Sequence, residues 1–493
     1  MAVDQSAVAR VLGIETQFQD LRGGSILYLP QRIAVLAQGA SESTYSTDKF
    51  QITSAAQAGD RYGWGSPIHL IARQLFPSNG DGVGTLPVTV YPLEDDGSGV
   101  AASGDITPTG TASANASYRV FVNNIPSEPF VIEEGDDEEA IVTKMVAAIN
   151  AVLEMPIIAS ADLGVLEFDA KWAGESGNDI HVEVEGDDVD VTFAVTQADG
   201  GLVNPDIQPA LDQVGNVWET LVLNAMNIAD TDTLDKLQTF GDGRWGALLR
   251  KPLVAFTGNT ETTVEDATSV SSGRRTDKVN AQLVAPGSKD LPFVVAARQL
   301  ARIARVANNN PARDYGSQRA TGLTPGADGD QWDYAQRDQA VKAGSSTIEV
   351  KDGVVAISDV VTFYRPEGDP TPAYRYVVDI VKLMNALFNF DLEFNRPEWD
   401  GAPLVPNDQV VANPAAKKPK HAEAAVNAII DSLGLEALIS APEAAKETTQ
   451  AAIDSQNPKR MNWQTTVQLS GNANIINATF NFGFFFGEQA VAA

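Results

Sequence analysis

His69, His181 and His421 are the only imidazoles in the chain, and there is no cysteine. Disulfides, cysteine-ligated zinc, iron–sulfur clusters and thiol catalysis are thereby excluded. A serine hydrolase needs one of those histidines as the base beside its nucleophile. Ser66 and His69 share the start of an expected helix, but Trp64 and Ile68 stand where a nucleophile elbow requires glycine. His181 lies in an acidic, β-like run and His421 at a helix start, where hydrogen-bonded or solvated roles are ordinary. The single G-x-G-x-x-G, Gly241, Gly243 and Gly246, follows a helix and not a strand, so it reads as a helix-breaking loop and not a dinucleotide cradle. The acidic run Glu133–Glu139 invites a cation, yet no D-x-D-x-D-G with a later glutamate accompanies it, and a solvated surface is the better reading. No catalytic, metal or cofactor residue is expected.

The elements that would position any site follow from periodicity. The 493 residues carry 65 acidic and 35 basic side chains, a formal charge of -30. That charge disfavours nucleic acid and anionic membranes as direct partners. No apolar run approaches the length of a membrane span, and Met1–Arg10, with Asp4, lacks the apolar segment of an export signal. A soluble, uncleaved protein made in the cytoplasm is expected. Arg32–Gln38 reads as a buried strand, Pro67–Phe76 as a helix and Leu86–Leu93 as a strand, the alternation of an α/β core. Between Asp95 and Gly200 there are 22 acidic and 3 basic residues, a net of -19 that leaves only -11 for the rest. This stretch reads as an inserted β-rich domain with one helix, Glu138–Leu153.

After Asn204-Pro205 the core pattern resumes. A helix is expected over Ile207–Val214, a strand over Thr220–Leu223, a helix over Thr231–Phe240 and a strand over Pro252–Phe256, as in a parallel sheet covered on both faces. Further helices are expected over Pro292–Ala307 and Ala373–Phe388, with a β-like stretch Ser346–Tyr364 between them. The fold class is therefore multi-domain α/β: an arm (1–25), a core split into 26–94 and 201–370, an acidic insert (95–200) and a C-terminal domain (371–493).

Two basic clusters and one apolar strand remain. Arg274–Arg319 holds nine basic residues against three aspartates, with Arg298, Arg302 and Arg305 on one helix face. That face is either solvated or complementary to an acidic neighbour. Lys417, Lys418 and Lys420 open another helix and are candidate subunit or partner contacts. In the tail, Thr465, Val467 and Leu469 share one strand face, and Phe480, Phe482, Phe484 and Phe486 share another that is wholly apolar.

Five stretches, Gln51–Phe76, Phe168–Ile180, Gly200–Leu211, Asn310–Leu323 and Arg337–Tyr364, taken in order, resemble the contractile tail sheath proteins of myovirus-type bacteriophages, particularly the Mu-like branch. NPARDYGSQ within the fourth departs from the family pattern, where a more apolar continuation is expected. The resemblance implies a structural role and no enzyme activity. Many copies would form a helical polymer around a tail tube protein, bounded by baseplate and tail terminator proteins, and contract to drive the tube through a host envelope. It also implies a virion tail component assembled in the host cytoplasm. Its core would have subtilisin-like topology without a working triad, with Met1–Gly24 and the Phe480–Phe486 strand exchanged between subunits. A diverged subtilisin-like hydrolase, another phage or injection-system structural protein, and an acidic surface-layer protein or adhesin are the alternatives.

Overall fold

The computed structural model describes residues 26–246, 248–369 and 372–474. Its central sheet has six strands in the order Asn280–Val284, Val254–Asn259, Leu221–Asn224, Ile33–Gln38, Val88–Leu93 and Phe50–Ile52. The first five run parallel and Phe50–Ile52 antiparallel at the edge. The strand IAVLAQ is buried at every position, as a strand covered on both faces must be. Helix Pro67–Leu75 is capped by Ser66, whose hydroxyl accepts from His69 N, with Pro67 in the first turn where its missing donor costs nothing.

Two four-stranded antiparallel sheets lie between the halves of this core. One contains Ala116–Val122, Ile125–Pro126, Phe130–Ile132 and Val182–Gly186, the other Ala101–Thr109, Ile157–Asp162, Val165–Ala173 and Thr192–Asp199. Helix Glu138–Asn150 packs against both. It starts at Asp137, whose carboxylate accepts from Ala140 N, and has Glu138 and Glu139 in its first turn, favourable to the helix dipole.

Several boundaries differ from expectation. The helix begun at Thr231 runs through Gly241 and Gly243 to Trp245, so this glycine motif is no loop at its first two positions. Gly241 is tolerated there because a Cβ would stand 2.5 Å from Val279 methyls, and the close approach of helix to strand offsets its poor propensity. The expected Ala373–Phe388 helix begins at Val377 and extends to Phe394. Residues before it pair instead with the preceding segment, through Thr362 N to Arg375 O (2.8 Å) and a Val361–Tyr376 bridge. The last strand of the acidic segment starts at Thr192, just after the left-handed Asp190, and runs to Asp199. The tail is not one strand at Thr465–Leu469: Met461–Gln464 pairs with Gln450–Ile453, and Gln468–Leu469 with Ile439–Ser440. The alternation survives this break, since Trp463, Val467 and Leu469 all pack on the same small core around Val426, Ile430 and Leu433.

Candidate interaction surfaces

The acidic sheets sit over the carboxyl ends of the parallel strands. In open α/β sheets that end, where strand order reverses, is the usual ligand crevice. Here the reversal lies between Ile33–Gln38 and Leu221–Asn224. Gln38 Nε2 donates there to Ala173 O (2.7 Å), and the fully buried Trp172 packs edge-on against Phe293 at 6.0 Å. Asn123 Nδ2 reaches Lys289 O (2.9 Å) and Asn124 Nδ2 reaches Asp290 Oδ1 (3.0 Å). Asn227 Nδ2 donates to Asp179 Oδ2 (3.1 Å), and burial pushes that carboxyl up to about 6. Protein, not an open crevice, occupies the switch point.

The candidate catalytic pair is structural in geometry. His69 Nδ1 accepts from Gly65 N (3.0 Å), and its ring lies 4.8 Å from Trp64. Burial, with Arg73 and Lys171 nearby, holds its pKa down to about 4. Ser66 Oγ caps the helix by accepting from His69 N and is not hydrogen-bonded to either imidazole nitrogen: Nδ1 is taken by Gly65 N, and Nε2 has no hydrogen-bond partner among the described residues. His181 Nε2 lies 3.0 Å from Glu183, which is also bound by Lys289. His421 Nδ1 accepts from Lys418 N (3.3 Å), and slight burial with Lys420, Lys417 and Lys418 lowers its pKa. In the acidic run, Lys144 binds Asp136 (2.6 Å) and Glu133 (3.4 Å). Among the described residues no group of three or more metal-ligating side chains converges, and no helix is long and apolar enough to cross a membrane.

Arg298, Arg302 and Arg305 converge on one carboxylate. Arg298 Nη2 and Arg302 Nη1 reach Asp81 at 2.9 and 2.6 Å, and Arg305 Nη1 stands 3.7 Å away. Arg298 is 1% exposed and Arg305 44%. Lys417 pairs with Glu398 (3.5 Å) and lies 4.6 Å over Trp399, Lys418 donates to Gln409 O (2.5 Å), and Lys420 is exposed.

Reasoning from sequence did not find the polar ladder on helix Val377–Phe394. Leu29 N donates to Asn385 Oδ1 (2.8 Å), Leu27 N to Asn389 Oδ1 (3.2 Å), and Asn389 Nδ2 back to Leu27 O (2.9 Å). On the same helix Lys382 Nζ, with no exposed side-chain surface, donates to Asp379 Oδ1 (3.0 Å), Ser470 O (2.5 Å) and Asn472 Oδ1 (2.6 Å). One helix thus holds the first and the last described segments of the chain. The signal was available: Lys382, Asn385 and Asn389 are polar residues spaced by three and four among the apolar residues that dominate this helix. The arm 1–25 and Phe480, Phe482, Phe484 and Phe486 lie outside the described residues.

No family model matches the chain. It is 24% identical over 454 residues to the Mu-like prophage FluMu tail sheath protein of Haemophilus influenzae, covering 89% of this chain and 88% of that protein. The resemblance carried by the five stretches thus extends over nearly the full length. Among solved structures, a sheath tail protein from Listeria innocua aligns at 11% identity over 91% of this chain and 94% of its own, with a TM-score of 0.49. The PVC sheath complex of an extracellular contractile injection system, in the contracted state, aligns at 10% identity over 97% and 98%, with a TM-score of 0.47.

Proposed function

We propose that the chain is the sheath subunit of a contractile phage tail, a structural protein that polymerises helically around a tail tube and contracts to drive it through the host envelope. The observation that carries this reading is the full-length likeness to the FluMu tail sheath protein. The chain's own geometry supports it in two ways. The ligand crevice of the α/β sheet is filled by Trp172 and Ala173, and Ser66 and His69 serve the helix start, so the described residues assemble no Ser–His pair for the hydrolase alternative. The first and last described segments, at Leu27–Leu29 and Ser470–Asn472, are anchored on one helix, which suits a body that must transmit force between neighbours.

A head-to-tail interface whose rotation does not close generates an open helix. Exchanged terminal strands would keep neighbours connected while the folded bodies repack between an extended and a contracted arrangement. In this reading residues 1–25 and the Phe480–Phe486 strand are the exchanged links, and Lys417, Lys418 and Lys420 face the tube or another subunit. The split core, acidic insert (95–200) and C-terminal domain (371–493) are the moving bodies. Baseplate and tail terminator proteins bound the polymer at its ends, and the virion tail is its location after assembly in the host cytoplasm. Removal of residues 475–493 tests the linkage. The truncated chain should melt within a few degrees of the full chain, because Lys382 and its partners are retained, yet form no tubes. Tubes of normal yield from the truncated chain would refute exchange.

A further inference from the structure

The three arginines gathered on Asp81 are more positive charge than one carboxylate can satisfy. Arg302, Arg305, Asn309, Arg313 and Gln318 line, with Asp81, an open cavity of about 310 Å³. Arg298 stands behind it, buried, and bonds Asp81 O (2.7 Å) as well as Asp81 Oδ2. Arg302 divides its donors between Asp81 Oδ1 and Gln318 Oε1 (3.2 Å). Arg298 Nε and Arg302 Nε are both buried without an acceptor. Arg305 and Arg313 are exposed, and the Arg313 side chain has no ion pair or hydrogen bond among the described residues. Three guanidiniums, each with five donors, thus meet a single carboxylate whose Oδ1 already serves Arg302 and lies near Arg305, and Arg313 adds a fourth to the cavity lining. Helix Pro292–Asn309 carries three of the arginines, and the backbone of Asp81 is held by its N–H to Asn79 Oδ1 (3.0 Å) and by Arg298 Nη1 on its carbonyl (2.7 Å).

We propose that this cavity is a carboxylate-binding socket, filled in the assembled protein by an aspartate or glutamate side chain from the acidic 95–200 segment of a second copy. Planar guanidiniums bind carboxylates in bidentate fashion, and Arg305 and Arg313 have donors to offer. The choice of a second copy rests on charge complementarity: a net of +6 across Arg274–Arg319 is opposite in sign to the net -19 of residues 95–200 in a chain of net -30. It also rests on the sheath reading, which requires each subunit to meet other copies. Asp81 orients the arginines and offsets part of their mutual repulsion until the second carboxylate arrives. NPARDYGSQ, the stretch that departs from the family pattern, supplies Arg313.

The test uses the full chain and the double variant Arg305→Glu/Arg313→Glu, with Arg305→Lys/Arg313→Lys as the charge-retaining control. Both positions are exposed, so each variant should keep the wild-type melting temperature. A fluorescein-labelled hexaglutamate peptide should bind the wild type and bind the glutamate variant about tenfold more weakly or worse, with the lysine variant between them. Sedimentation should show polymers for the wild type that the glutamate variant fails to form. Equal peptide binding by wild type and glutamate variant would overturn the socket. Lost peptide binding with polymers of undiminished yield would overturn the second copy as its occupant while leaving the sheath reading intact. A wild-type chain that never polymerises would refute the sheath reading, and the second-copy occupant with it.

Discussion

Lys382 Nζ donates to Asn472 Oδ1 at 2.6 Å, tying the last described residues of the chain to the middle of helix Val377–Phe394. The ammonium is fully buried, and its other partners are Asp379 Oδ1 and Ser470 O. A charge so placed is stable only while all its acceptors are present. Lys382→Met should therefore strand Asp379, Ser470 O and Asn472 together and cost about 3 kcal/mol. The segment 465–474 should become the first site of proteolytic cleavage. Calorimetry with limited proteolysis checks this, and an unchanged cleavage pattern would show that the tail is held by other contacts.

At the other end, Asn385 and Asn389 receive Leu29 and Leu27 by backbone hydrogen bonds. Asn389→Leu leaves the Leu27 amide and carbonyl without those partners, at a cost of about 1–2 kcal/mol. Amide exchange at residues 27–29 should accelerate while the central sheet keeps its protection. Exchange that stays slow at Leu27 would assign its protection elsewhere.

Gly258 lies in strand Val254–Asn259 where a Cβ would stand 1.6 Å from Pro292 O, a backbone atom at the start of a helix. No side-chain rearrangement relieves such a clash, so Gly258→Ala should cost about 3 kcal/mol or more. By contrast Gly243→Ala, in open space within a helix, should raise stability by about 0.5–1 kcal/mol. Urea titration of the two variants should move their midpoints in opposite directions.

Two buried groups give opposite pH slopes. His69, held down to about 4 from 6.5, binds fewer protons folded than unfolded between those values, so its contribution is lost as pH falls. Asp179, pushed up to about 6 from 3.8, binds more protons folded than unfolded, so its contribution is lost as pH rises from about 4 to 6. Each difference is worth about 3 kcal/mol at most. Asp179→Asn, which can still accept from Asn227, should raise the melting temperature at pH 7 and leave the chain more sensitive to acid. His69→Asn should weaken the destabilisation on acidification. Melting curves from pH 4 to 7 decide, and an Asp179→Asn variant less stable at pH 7 would contradict the assignment.

Much of this arrangement was legible in local pattern. The run IAVLAQ announces a doubly covered strand, and the spacing from Pro67 to Leu75 a capped amphipathic helix. The charge of Asp95–Gly200 marks a segment that does not belong to the parallel sheet. What was not legible depends on distant partners. Gly241 looks like a helix stop until Val279 is seen packed against it. Tyr376 looks helical until its pairing with Val361 holds it extended. The arginine face was visible, but Asp81, more than 200 residues away, was not, nor was the seat of Trp172 over the end of the sheet. Lys382 and Asn389 were readable only as interruptions of an apolar stripe. Their roles appear when Leu27 and Asn472 are seen to meet that helix.

Negative-stain microscopy of the purified full-length chain at rising concentration, with light scattering on the same samples, addresses the central claim most directly. Tubes of uniform width built from this chain alone should form, becoming fewer as salt screens the arginine socket. Particles of single-chain mass at every concentration and salt would contradict that claim.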